Sequence, residues 1–231
     1  MNKRILLLAA VSTGAMLSAH AASFSGSSSG TFNNPVTTGN PSAVYTGMGS
    51  SSITFGNADG FGTGPNALTF TGAGFGSVLA ETPFTVGSLY YFNGTVVSGT
   101  TLSGVGLDVQ LTFTLPNGLG DETFDFPLVI TTTPNSGNAE GDADYITLPS
   151  ASSTTFSVGP DTYTLKISFG SFTGGGFIAP DGTFRVYEGQ SATAPLKGII
   201  TTDLNGAPDG GSTMLLLGGA TAILCWLRRK I

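Results

Sequence analysis

Along the middle of the chain, apolar and polar residues alternate with a period of two. Leu107, Val109, Leu111, Phe113 and Leu115 alternate with Asp108, Gln110, Thr112 and Thr114, the pattern of a strand with one face in the core. Phe124, Phe126, Leu128 and Ile130 repeat it, as do Tyr163, Leu165, Ile167 and Phe169. Between these runs stand Leu115-Pro116-Asn117-Gly118, Gly159-Pro160-Asp161 and Pro180-Asp181-Gly182. Pro presets one turn dihedral, and Gly or Asn accepts the positive one. Outside the two termini no window has a helical period. The spacing predicts an all-β fold: a single antiparallel β-sandwich, jelly-roll-like, over residues 65–203. Each Phe, Leu or Ile buried on such a face contributes about 1.5–3 kcal/mol before entropy is subtracted. Residues 22–64 are rich in Ser, Gly, Asn and Thr, broken only by short apolar pieces such as Val44-Tyr45 and Ile53-Thr54-Phe55. They read as a loosely ordered leader with one or two short strands.

The ends are built differently. Lys3 and Arg4 precede a run of small and apolar residues, then Ala19-His20-Ala21. That is the layout of a signal peptide over residues 1–21, with signal peptidase cutting after Ala21. The apolar run is about half of the ~20 residues a spanning helix needs. At the other end, residues 214–227 are apolar and are followed by Arg228, Arg229 and Lys230. As a helix this stretch reaches about 21 Å at ~1.5 Å per residue, short of a bilayer core of ~30 Å. The basic tip would stay cytoplasmic. Residues 204–231 therefore read as a sorting tail that holds an exported body at the membrane, transiently if it is processed and permanently if it is a plain anchor.

Removing both ends changes the available chemistry. The only His is His20, the only Cys Cys225 and the only Trp Trp226. Residues 22–206 then lack the parts of a Ser-His-Asp triad, a Cys-His dyad, a thiolate or imidazole metal site and a disulfide. Their cations are Lys166, Arg185 and Lys197 against thirteen carboxylates, a net charge of about −10. So acidic a body repels phosphate backbones, which excludes nucleic acid as a partner. With sixteen Phe and six Tyr in the chain, disorder is a poor reading of it.

Carboxylates are the reactive groups present in number. Glu140, Asp142 and Asp144 stand at alternate positions and could offer oxygen ligands to Ca²⁺, although no bidentate Glu stands where an EF-hand has one; a solvated acidic loop is the other reading. Asp121, Glu122 and Asp125 form a second cluster with the same two readings, and a site gains force if the two clusters meet. A glycosidase needs only two carboxyl groups in a cleft. Asp108, with Tyr90-Tyr91-Phe92 as a sugar platform, is the arrangement to weigh, against a core strand at 90–92. Asn93-Gly94-Thr95 is a formal glycosylation acceptor that also reads as a turn.

Two resemblances add to this. Ala207-Pro208-Asp209-Gly210-Gly211, followed by Ser212-Thr213, the apolar stretch and the basic tip, resembles a VPDSG-CTERM sorting signal, similar to the PEP-CTERM signals read by exosortases. Ala207 stands where Val is usual and Gly210 where Ser is. The resemblance implies an exosortase-like processing enzyme and delivery to the cell surface or extracellular matrix. "NALTFTGAGF", "PFTVGSLYYFNGTV", "LDVQLTFTLP", "FDFPLVITTTPN" and "DADYITLPS", in that order, resemble a choice-of-anchor K domain. That family implies an all-β extracellular module and no catalytic residue or cofactor. The expectation is an exported, non-enzymatic surface or matrix protein, with exopolysaccharide as a candidate partner and Ca²⁺ as a candidate ion. A carboxylate-dependent carbohydrate-active enzyme and a permanently tethered envelope protein are the alternatives.

Overall fold

The alternating segments form strands, as their period requires. The computed structural model describes residues 22–60, 62–149 and 151–203. In chain order the strands are β1 (Ser23–Val36), β2 (Tyr45–Thr46), β3 (Ser52–Phe55), β4 (Asn66–Gly72) and β5 (Gly74–Leu79). Then come β6 (Phe84–Phe92), β7 (Gly104–Leu115), β8 (Asp121–Thr131), β9 (Asp144–Thr147) and β10 (Ala151–Val158). The last are β11 (Asp161–Phe169), β12 (Thr173–Gly174), β13 (Gly176–Ile178), β14 (Phe184–Val186) and β15 (Ser191–Asp203). One sheet runs β13-β14-β9-β8-β7-β1-β5; the other runs β10-β11-β15-β6-β4-β3-β2, with β12 beside β15. All pairings are antiparallel, and the two sheets pack as a β-sandwich.

The alternation maps onto burial almost residue for residue. Leu107, Val109 and Leu111 are fully buried, as are Phe124 and Phe126, while Leu115 at the end of β7 is 40% exposed. The expected turns connect β7 to β8, β10 to β11 and β13 to β14; Gly118, Gly159 and Gly182 in them all have positive φ, which L side chains adopt at a cost. At one end of the sandwich an aromatic cluster closes the core. Phe24 meets Phe113, Phe156 and Tyr163 at ring-centroid distances of 5.7, 5.9 and 5.3 Å.

Phe24 belongs to the stretch read as a leader, and here the structure differs from that expectation. β1 is a fourteen-residue strand hydrogen-bonded to β5 on one side and β7 on the other. It lies inside the sheet. Its Ser- and Gly-rich composition is a packing solution: a Cβ on Gly30 would stand 2.6 Å from the Phe70 ring of the facing sheet, so glycine there admits the aromatic. The Ser28 hydroxyl donates to Val86 O across the sandwich. β2 and β3 extend the second sheet, so residues 22–64 share the domain of residues 65–203. Among the described residues no helix is long and apolar enough to cross a membrane. Ala19 and Ala21, Ala207 to Gly211, the stretch 214–227 and Arg228 to Lys230 lie outside the described residues.

Phe24→Ala should therefore cost about 3–5 kcal/mol, as deletion of a fully buried aromatic does. Leu79→Ala, at a half-exposed position on β5, should cost within about 1 kcal/mol. Urea unfolding of the two variants measures the difference. Equal and small effects would mean that residues 22–36 are a detachable leader after all.

Candidate functional site

The end of the sandwich opposite the aromatic cluster is open and polar. A cleft of about 370 Å³ lies there, lined by segments around Asn40, 94–101, 132–135, Asp144 and Glu188. Each wall continues a strand end. The segment after β6 is pinned on both sides: Val44 N donates to Thr100 O at 2.9 Å and Val97 N to Asn57 O at 2.8 Å. Gly94 N donates to the buried Asn66 Oδ1 at 2.7 Å, and a Cβ on Gly94 would lie 2.0 Å from Gly64 O. Glycine is required at that crossing.

Asp144 opens β9 and is 4% exposed. Its Oδ1 accepts from Thr133 N at 2.7 Å and from Thr133 Oγ1 at 3.3 Å, which anchors the 132–135 wall. Glu188 comes from the connection between β14 and β15. Asn93 holds that connection: its N donates to Gln190 O at 3.0 Å, Gly189 N donates back to Asn93 O at 2.8 Å, and its Nδ2 donates to Val186 O at 3.0 Å. Beneath both acids stands Tyr91 of β6. Its ring is stacked on Phe55 in the core, with centroids 6.5 Å apart, and its hydroxyl lies close enough to both acids to feel their charge.

Charge in the cleft is unbalanced, since among the described residues neither Lys nor Arg lines it. Burial, and after it the negative charge of Glu188, pushes the Asp144 carboxyl up to about 7 against the opposing pull of the Thr133 N–H. Burial, then the charges of Asp144 and Glu188, raises the Tyr91 phenol well above its usual range. The Tyr91 hydroxyl is turned toward Asp144 without closing a hydrogen bond of normal geometry: Tyr91 Oη and Glu188 Oε1 are both buried atoms left without a partner.

The structure separates the residues expected to act together. Glu140 is exposed. Asp142 is bound into its own loop: Ser136 Oγ and Ser136 N donate to its Oδ1 at 2.6 and 2.9 Å, and Gly137 N donates to its Oδ2 at 2.6 Å. The Ser136 hydroxyl foremost, then these amides, hold its carboxyl below the usual range. Among the described residues no three His, Cys, Asp or Glu side chains are grouped to hold a metal, so Glu140, Asp142 and Asp144 do not form the expected triad. Only Asp144 lines the cleft; Asp142 is spent on its own loop before the strand begins.

The acids of 121–125 do not join it either. They lie on β8 opposite Asp108 to Thr112 of β7, at the end of β8 away from its pairing with β9. Asp108 faces Asp125 directly across the strands, and the Asn33 amide donates to Asp108 Oδ2. Burial, then the Asp125 charge, raises the Asp108 carboxyl. Of the supposed sugar platform, Tyr91 is fully buried and Tyr90 is 36% exposed; neither ring lines the cleft. Asn93 is fully buried, with its amide nitrogen already used, so it is a clamp and not a glycosylation acceptor.

Asp144 gives a pH signature with a definite sign. Its folded-state pKa lies above the ordinary carboxyl value of about 3.9, so the folded form holds the proton more tightly. The associated stability is present below pH ~4 and is lost as pH rises through about 7. An Asp144→Asn variant, which keeps an oxygen for Thr133, should gain on the parent over that window, by up to about 4 kcal/mol for a shift of this size. Thermal melts of chelator-treated protein from acid to neutral pH check it; parallel curves for the two proteins would show that the Asp144 carboxyl is ordinary.

No family model matches the chain and no curated protein matches its sequence, so the reading of the cleft rests on its own residues.

Proposed function

We propose that the protein is an exported, non-enzymatic β-sandwich module of the cell surface or extracellular matrix, and that the end cleft is its ligand site. The observation that carries this reading is the lining of the cleft. Beside Val96, Val97 and Pro134 it consists of glycine backbone and small polar side chains with two unbalanced carboxylates, a surface rich in acceptors and suited to a polyhydroxylated or cationic ligand. Exopolysaccharide is the partner with that chemistry. The layout of residues 1–21 supports export. The order of Ala207 to Gly211, apolar stretch and basic tip supports a VPDSG-CTERM-like tail cut by an exosortase-like enzyme. β15 ends at Asp203, immediately before that tail, so its removal would leave every described strand whole. The choice-of-anchor K resemblance supports the same reading.

A second reading, a carboxylate-dependent carbohydrate-active enzyme, is favoured by one observation: Asp144 and Glu188 share the cleft, and a carboxyl near pKa 7 suits a general acid. Against it, among the described residues no aromatic side chain lines the cleft to stack a sugar ring.

The mass of the C-terminal peptide of protein from its native cells tests the proposal. A peptide ending within 208–213 is expected, together with retention of the protein on its own exopolysaccharide without release of reducing ends. A peptide retaining residues 226–231 would make the protein a tethered envelope component. Release of reducing ends that disappears in Glu188→Gln would make it the enzyme.

A further inference from the structure

The cleft is unfinished by its own atoms. Glu188 Oε1 is buried with no partner, and so is the hydroxyl of Tyr91, a residue with no exposed surface. An unsatisfied buried polar group destabilises a fold by its lost hydration; here one belongs to a residue that lines the cleft with Asp144 and the other is turned toward Asp144. Both hydrogen bonds from Thr133 fall on Asp144 Oδ1, which leaves Oδ2 free of them. The cations of the described residues are engaged or placed elsewhere. Arg185 pairs with Asp181 at 3.2 Å, Lys197 donates to Thr85 Oγ1 at 2.9 Å, and Lys166 lies on β11 opposite Ile199. Two carboxylates therefore face one cavity with nothing of opposite sign in its described lining.

What completes such a site must bring positive charge and accept oxygen ligands only. A water molecule would satisfy the Tyr91 hydroxyl but leave both negative charges. An ammonium would bring one charge and donors alone. A divalent cation matches the charge of the pair, and a donor set made only of oxygen selects a hard one. Two walls of the cleft are connecting segments, 94–101 and 132–135, with hydroxyl and carbonyl oxygens at Thr101, Thr133 and Asn135. Such irregular walls suit the variable coordination of calcium better than the strict octahedron of magnesium.

We propose that the end cleft is a calcium site, with the Asp144 and Glu188 carboxylates as its charged ligands and the Tyr91 hydroxyl oriented by them. The proposal rests on the reading of the cleft as the module's ligand site, and gives that reading a mechanism. A cavity of about 370 Å³ is much larger than one ion, so part of the coordination shell is left to water or to paired hydroxyls of a polysaccharide. Asn93 acts as a positioning residue, because it clamps the connection that carries Glu188.

The test is calcium titration of the chelator-stripped full chain, by calorimetry and by thermal melting. Saturable binding is expected with half-saturation at about 0.1–1 mM, the range of open extracellular sites with few carboxylates. Glu188→Gln should weaken it at least about tenfold, equivalent to about 1.4 kcal/mol of binding free energy, while melting no lower than the parent in chelator, since the charge that acts on Asp144 is removed. Glu140→Gln should bind as the parent does. Absence of saturable binding up to about 10 mM, well above that range, would overturn the proposal. So would parent-like binding by both Glu188→Gln and Asp144→Asn, which would put the ion elsewhere. Calcium binding without retention on polysaccharide would keep the site and remove the matrix reading; retention that survives chelation, with no calcium bound, would do the reverse.

Discussion

The pairing of β1 between β5 and β7 is the constraint on which the structure depends. With no cysteine in residues 22–203, no disulfide stabilises them; the ladders and the core must hold the fold together. β1 contributes to both. It runs the length of its sheet, buries Phe24 at the aromatic end and Phe32 further along, and is tied to the opposite sheet through Ser28. Its far end determines where the cleft forms. Val36 pairs with Gly104, Ser103 N donates to Val36 O at 2.9 Å, and Ile130 N donates to Ser103 O at 3.0 Å. The connections that enter or leave the three strands at this end then become cleft walls.

The two ends of the sandwich are thus specialised in opposite senses. At one, aromatic rings fill the space between the sheets and exclude water. At the other, strand ends stop short and mostly small polar residues line an opening, with Tyr91 as the link: its ring belongs to the core and its hydroxyl is turned toward Asp144 in the cleft wall. That division explains why two carboxylates tolerate partial burial there. Apart from the 132–135 wall, which Asp144 itself anchors through Thr133, the backbone around them is fixed by hydrogen bonds that do not involve their charge, from the Asn66 contact with Gly94 to the Asn93 clamp on 186–190. The rigid frame bears the electrostatic cost, and a bound cation would offset it.

Much of the fold was legible in the sequence, because a half-buried antiparallel strand carries its own period. β7, β8 and β11 lie where the alternation of Leu107 to Phe113, Phe124 to Ile130 and Tyr163 to Ile167 places them. β1 was hidden because its inward positions include Gly30 and Ser28 as well as Phe24 and Phe32. The volume that an apolar side chain would fill comes instead from Phe70 of the facing sheet, and no local pattern records that exchange. The site was legible only in part. Asp144 stood out beside Glu140 and Asp142, but those sequence neighbours lie on a loop of their own. Its real neighbours, Tyr91 and Glu188, come from β6 and from the β14–β15 connection. Only the packing of one sheet on the other brings them together, and in the sequence Glu188 looks like any surface acid.

Amide hydrogen exchange on the full chain tests the central claim, that the N-terminal strand is the frame for the core and the cleft together. The account predicts that residues 23–33 are protected to the same degree as β7, opening only with global unfolding, while the connecting walls of the cleft exchange sooner. Rapid exchange of residues 23–33 with β7 still protected would contradict it: the strand would then be an appendage, and the cleft would have to be held by the remaining strands alone.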